Sequence, residues 1–309
     1  MAEASTPKRT LPRRIWRFVW KGTMWFFIVT VSWVLLYKWV NPPTTYLQLT
    51  CDCPEGTEFH KKWVDGDEIS LNMKLAVVAS EDNNFMKHNG IDWGAVEKAQ
   101  KYNETIGKKK GKYRGASTIT QQTAKNVFLW PGKAKWNKWI RKGFEVYFTY
   151  LIEFIWGKER IMEVYLNVIE MGPCKFGVGA AAEDYFHTSA KKLSKDQAAL
   201  IAACLPNPSK YSVSRPGNYM KRRQGQIVGL MRLIGDSYFE RYGADMPKAE
   251  REKKEREIEK KIDELPPSAI PEMESEEEVK PEDVEIPDLN IPTERDTVDQ
   301  SGALDTLKH

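Results

Sequence analysis

Residues Gly22–Tyr37 run for sixteen positions without a charged side chain and are rich in Trp, Phe, Val and Leu. Extended to 16–40, the run reaches the ~20 apolar residues that a helix needs to cross a bilayer. A water-soluble domain has little use for such a helix, so the first expectation is a membrane anchor ahead of everything else. Arg17, Lys21 and Lys38 lie near its ends, where long basic side chains reach back to the interface. Trp16, Trp20, Tyr37 and Trp39 suit the aromatic belts at the two membrane surfaces. Lys8, Arg9, Arg13 and Arg14 precede the run, and after Lys38 the next Lys or Arg is Lys61. The positive-inside rule therefore predicts a cytoplasmic basic segment at 1–15 and an external location for everything after residue 40. The competing reading is a cleaved signal peptide, but no small-x-small cleavage site precedes Asn41-Pro42-Pro43.

The remainder divides by composition. Residues 41–57, with Pro, Thr and Gly, read as a linker, and the hydrophobic core is expected after Glu58. Residues 58–245 carry helical periodicity with sparse β signals, which predicts one mainly α domain. Helices are expected at Leu71–Ala79, Trp93–Tyr102, Trp136–Trp156, Glu159–Met171, Ala180–Tyr185, Ser194–Cys204 and Tyr219–Leu233. Ser194 with Gln197 three residues on is a capping signal. Ile106–Gly115, rich in Gly and Lys, reads as a mobile basic loop. Gly172–Gly179 reads as a turn. Residues 246–265 alternate acid and base, as in a solvated helix laced by i,i+4 pairs. Residues 266–309 form an acidic tail too poor in apolar side chains to order itself.

Charge separates the two ends. The net charge is +4, yet Leu265–His309 carries thirteen acidic and three basic residues. The first 264 residues are therefore about +14 by difference, which favours anionic partners such as lipid head groups or pyrophosphates. The anchor makes nucleic acid the poorer choice. The four cysteines do not suggest a disulfide framework. Cys51 and Cys53 are too close to bridge each other, although either could pair with another thiol in an oxidising compartment. Cys204 lies in an Ala-rich run and reads as a small buried hydrophobe. No Cys/His spacing suggests a metal site, and a structural role is expected for all four.

Four polar blocks stand out against this background. Glu81-Asp82 begins the first, followed by Phe85, His88 and Gly90. Glu81 is a candidate general base, with Phe85 and Trp93 placed to desolvate it. His88 reads as a turn hydrogen-bonder and not as a catalyst. The second block, Gly115–Asn126, packs Ser117, Thr118, Thr120, Gln121 and Gln122 into six positions, a donor density suited to a sugar or pyrophosphate. Lys125 lies one helical turn later, placed to direct its charge at the same ligand. The bland alternative is a capped helix with a polar face. In the third block, Arg141-Lys142-Gly143-Phe144-Glu145, Arg141 and Glu145 are i,i+4. They form either one more surface ion pair or a carboxylate held beside phosphate-binding cations. Glu153 is expected to pair locally. The fourth, Lys158–Asn167 with the glycines beyond it, reads mainly as scaffold, with Asn167 ordering backbone.

In this order and spacing the blocks resemble family 51 of the glycosyltransferases, in its monofunctional peptidoglycan-synthesising form. The resemblance covers about Ser80–Tyr211, and Ala198–Pro208 fits the same group. It implies a lysozyme-like domain that joins lipid II to a growing lipid-linked glycan, with inversion at the anomeric carbon and loss of undecaprenyl pyrophosphate, for cell-wall biogenesis and cell shape. It implies Glu81 as base and Glu145 as its assistant. It further implies that Lys125 and Arg141 bind pyrophosphate, and Lys142, Ser117, Thr118, Gln121, Gln122 and Asn126 are expected to complete the substrate contacts. Many members have an arginine four residues before Arg141; this chain has Asn137, with Lys138 adjacent and Lys133 and Lys135 upstream. The resemblance also implies the inner membrane, a periplasmic catalytic domain, and cell-wall synthesis or division proteins as partners. No resident cofactor is expected beyond a magnesium ion at the pyrophosphate, without an all-protein site. The alternatives are a glycan-cleaving muramidase or lytic transglycosylase, which needs a carboxylic acid but no cation cluster, and a non-catalytic membrane scaffold.

Overall fold

The computed structural model describes residues 11–110, 113–130, 138–242, 246 and 248–265, all within a single unit. Lys133, Lys135, Asn137 and the acidic tail 266–309 lie outside the described residues. The fold is mainly α, as the periodicity predicts. Its twelve described α-helices are α1 (Leu11–Trp39), α2 (Tyr46–Leu49), α3 (Leu71–Glu81), α4 (Trp93–Tyr102), α5 (Lys108–Lys110), α6 (Ile119–Phe128), α7 (Lys138–Trp156), α8 (Lys158–Val168), α9 (Gly177–Phe186), α10 (Lys195–Cys204), α11 (Asn218–Ile234) and α12 (Lys248–Asp263). Two short parallel strands, β1 (His60–Lys61) and β2 (Lys175–Phe176), pair His60 with Lys175 and Lys61 with Phe176.

Two helix groups share the core. In the first, α3, α10 and α11 all pack on one another. Ala198, Ala199, Ile201, Ala202 and Ala203 are fully buried, and their small side chains let the neighbouring backbones approach closely. Ser194 starts α10 as expected: its Oγ accepts from the Gln197 N–H at 3.2 Å, and the Ser194 N–H donates to Gln197 Oε1 at 3.0 Å. Because α3 meets both α10 and α11, it is apolar nearly all round, with Met73 and Leu75–Ser80 buried. In the second group α6 packs on both α7 and α8. The buried positions of α7 are Glu145, Phe148, Thr149, Ile152 and Trp156, a one-faced 3.6-residue pattern. Asn167, fully buried on α8, ties the Val64 backbone to that helix. Its side chain accepts from the Val64 N–H at 2.7 Å and donates to the carbonyls of Val64 and Glu163 at 2.8 Å.

Four expectations need correction. First, the anchor is not separate from the core. Residues Ile15–Trp39 are long and apolar enough to cross a membrane, but the second half of α1 packs along α7. Val34 is fully buried, and its carbonyl accepts from Trp156 Nε1 at 2.8 Å. Thr30 Oγ1 and Tyr147 Oη are hydrogen-bonded at 2.7 Å, and Trp33 meets Phe128 edge-on at 5.2 Å. Second, residues 41–57 are more than a linker. Thr45 and Gln48 form a capping box, Gln48 Nε2 donates to the Val168 carbonyl at 3.4 Å, and Cys53 is disulfide-bonded to Cys174. Third, part of the predicted basic loop is helical, in a π-helical turn at Asn103–Gly107 running into α5. Fourth, α12 carries an i,i+4 pair, Lys254–Glu250 at 2.9 Å, yet it also docks. Glu259 pairs with Lys87 at 2.7 Å, and Ile262 packs on the core.

Candidate active site

The paired carboxylates at the end of α3 divide their duties. Asp82 is buried and points inward. His88 Nε2 lies 3.0 Å from each of its oxygens, and the Ile119 N–H donates to Oδ2 at 3.0 Å. The Gly90 N–H donates to His88 Nδ1 at 3.1 Å, so the His88 proton sits on Nε2 and is given to Asp82. His88 thus orders the turn, as its sequence position suggests. Asp82 also places negative charge at the N-terminus of α6, where exposed N–H groups favour it. Gly90 has φ of +96°, and a Cβ there would lie 2.8 Å from Thr149 Cγ2; conformation and space both demand glycine.

Thr118 and Gln121 are engaged in the same joint. Thr118 Oγ1 donates to the Gly90 carbonyl at 2.5 Å and accepts from the Gln121 N–H at 3.1 Å, while Gln121 Oε1 accepts from the Thr118 N–H at 3.0 Å. This reciprocal cap starts α6. Both side chains are nearly inaccessible, 2% and 4% exposed. Two of the predicted ligand donors are therefore committed to holding the first and second blocks together. Ser117 is half-buried in the loop just before them.

Glu81 is half-buried and meets α6. Gln122 Nε2 donates to its Oε2 at 3.0 Å, and Gln122 Oε1 accepts from Tyr165 Oη at 3.3 Å. Tyr165, fully buried on α8, thereby fixes which end of the amide meets the carboxylate. On α6, Gln122, Lys125 and Asn126 are i, i+3 and i+4 and share one face. All three are half-buried, whereas Ile119, Thr120, Thr123, Ala124 and Val127 are buried on the other face. Lys125 and Asn126 therefore rise from the side of α6 that meets Glu81. On α7, Glu145 is buried and its Oε1 lies 2.6 Å from Lys142 Nζ. Its ion pair is with Lys142, three residues earlier, not with Arg141 as the i,i+4 spacing suggests. Arg141 is half-buried beside it.

Behind this surface lies a second polar group. Glu153 pairs with Lys158 and accepts from Thr120 Oγ1 at 3.2 Å. Lys158 Nζ also sits 4.5 Å above the Phe85 ring. Burial pulls the Lys158 ammonium below the usual lysine range, with Glu153 and then Asp82 opposing that shift. Phe85 is fully buried there, while Trp93 is half-exposed and lines a cleft with His88, Ile91 and Tyr150. Asp82, Tyr165 and Lys158 were not singled out from the sequence as site residues. A tyrosine on an otherwise apolar helix face was the one available signal, because a buried hydroxyl needs a partner. Among the described residues, the sole grouping of three or more His, Cys, Asp or Glu ligands is Cys51, Cys53 and Cys174. The described carboxylates therefore form no cage for a divalent ion around Glu81.

A mainly helical domain with a glutamate positioned beside a helix face that carries Lys125 is compatible with a glycosyl-transferring or glycan-cleaving class. Comparison with known proteins narrows it. The Transglycosylase family model matches residues 50–232. The chain is 51% identical over 217 residues to the biosynthetic peptidoglycan transglycosylase of Bdellovibrio bacteriovorus, covering 69% of this chain and 84% of that one. It is 47% identical over 232 residues to the protein of the same name from Bacteroides thetaiotaomicron, covering 73% and 90%. The like-named protein of Pseudomonas aeruginosa is 42% identical over 242 residues, covering 74% and 98%. The chain belongs to the transglycosylase family.

Proposed function

We propose that this protein is a membrane-anchored peptidoglycan glycosyltransferase that polymerises lipid II. The observation carrying the proposal is the Glu81 carboxylate, oriented by Gln122 and Tyr165, on the side of α6 that presents Lys125 and Asn126. Glu81 accepts the proton of the acceptor sugar's 4-hydroxyl as that oxygen attacks the anomeric carbon at the lipid-linked end of the growing chain. The bond to pyrophosphate breaks, the configuration inverts, and undecaprenyl pyrophosphate departs. Pyrophosphate is a good leaving group, so charge stabilisation by Lys125 and Arg141 substitutes for a strong acid. Lys142 neutralises Glu145, which keeps a buried carboxylate from repelling the phosphates. A magnesium ion at the pyrophosphate would be held chiefly by phosphate oxygens and water, and no step depends on it.

The anchor geometry supports lipid-linked substrates. Phe144 and Tyr147 of α7 lie against Phe26 of α1, with ring centroids 6.0 and 5.6 Å apart. The catalytic domain is thus held against the apolar helix, so that a lipid-linked substrate shares the bilayer in which the domain is anchored. The test is to incubate the full chain in detergent with labelled lipid II and, separately, with preformed glycan, and to size the products. Polymer from lipid II is expected. Shortening of preformed glycan without polymer would instead favour the lytic reading, and no reaction with either would favour the scaffold.

A further inference from the structure

Three of the four cysteines meet at the foot of the membrane helix. Cys53 is bonded to Cys174, 121 residues away in sequence. Cys51 remains a thiol, and its Sγ lies 2.9 Å from Cys174 Sγ. All three sulfur atoms fall within 4.8 Å of one another. Cys174 is the fixed member. It is fully buried, its N–H donates to Glu170 Oε1 at 3.1 Å, and its carbonyl accepts from the His60 N–H at 2.9 Å. Cys51 and Cys53 are half-buried and come after α2 on the segment that joins the membrane helix to the domain.

We propose that Cys51, Cys53 and Cys174 form a thiol–disulfide exchange site in which Cys51 and Cys53 alternate as the partner of Cys174. Exchange requires a thiolate next to the sulfur it attacks, and Cys51 lies next to Cys174. The Cys51 thiolate attacks Cys174 Sγ. A Cys51–Cys174 bond forms, the Cys53–Cys174 bond breaks, and the electron pair leaves on Cys53. The proton lost from Cys51 is balanced by one taken up at Cys53. One disulfide and one thiol are present before and after, so no oxidant or reductant is consumed. The exchange moves the cross-link two residues along the chain, up to about 7 Å of extended backbone, and so resets the tether between anchor and catalytic body. Burial, and then the Glu170 carboxylate, pushes the Cys51 thiol up. The site therefore rests as thiol plus disulfide at neutral pH and exchanges when the thiol is deprotonated.

The test is disulfide mapping of the full chain in detergent. The oxidised protein is acid-quenched, alkylated and cut before Asp52, which separates Cys51 from Cys53. In the C53S variant the Cys51–Cys174 linked peptide is expected in place of the native link. Alkylated Cys51 and Cys174 in folded C53S protein would overturn the proposal. Cys204 serves as the folding gauge, because burial pushes its thiol up to about 12 and it should resist alkylation until the chain unfolds. If C53S loses that protection, the wild-type chain decides after equilibration at pH 8.5. Both linked peptides are expected there, and the Cys53–Cys174 peptide alone would overturn the exchange.

Discussion

At the residue scale, Glu81 and Asp82 are neighbours with opposite environments and so should fail differently. Asp82 is 7% exposed and accepts from a ring nitrogen and a backbone N–H. Asp82→Asn leaves at least one of these donors poorly matched, at a cost of about 1–3 kcal/mol. A fall in melting temperature, together with lost turnover because the α3–α6 joint loosens, is expected in thermal melts and polymerisation assays. Unchanged stability would show that this joint does not hold the site. Lys125→Ala and Arg141→Ala should raise KM for the lipid-linked donor and slow turnover through lost charge-assisted hydrogen bonds to pyrophosphate, with little change in melting temperature. Unaltered kinetics in the double variant would assign both residues to structure. The roles of Thr118 and Gln121 were partly legible in advance: Thr118-Ile119-Thr120-Gln121 has the T-x-x-Q form of a capping box. Gln122 has the same chemistry as Gln121. Only the helix rotation, set by packing on α7 and α8, sends one to the cap and the other to Glu81.

At the scale of elements, the seam between α1 and α7 decides how much of the anchor the domain needs. Thr30, Trp33, Val34 and Tyr37 contact Tyr147, Phe148, Phe128, Trp156 or Arg160. Deletion of residues 1–40 strips these contacts and is expected to give an aggregating or strongly destabilised chain, whereas a chain beginning at Phe26 should stay folded in detergent. Comparing the two by thermal melting checks this, and equal stability would return the anchor to the status of a tether. Tyr147→Phe removes the hydrogen bond to Thr30 and should cost about 0.5–1.5 kcal/mol. The sequence could not reveal this seam, because an apolar helix face looks the same whether lipid or protein covers it. It could reveal α3, α4, α7, α10 and α11 to within about two residues, because their apolar spacing and flanking caps are local signals. The Cys53–Cys174 link was hidden for a related reason, since spacing does not determine connectivity.

At the scale of the whole molecule, a basic catalytic body that begins with an apolar helix precedes a charged helix and an acidic tail. The family match ends at residue 232, and α12 and the acidic tail lie beyond it. Helix α12 nevertheless touches the first catalytic block through Glu259 and Lys87. Truncation after Leu265 keeps this contact, and melting temperature and polymerisation should be nearly unchanged. A large fall in melting temperature would place the tail in the fold. The central claim is that Glu81 is the base of a glycan polymerase. It is tested most directly by Glu81→Gln, which keeps size and the neighbouring Gln122 and Tyr165 but removes the proton acceptor. Lipid II binding and glycan product are measured side by side on the full chain. The account predicts binding close to wild type with polymerisation lost; glycan strands made at near-normal rate by the Gln variant would contradict it.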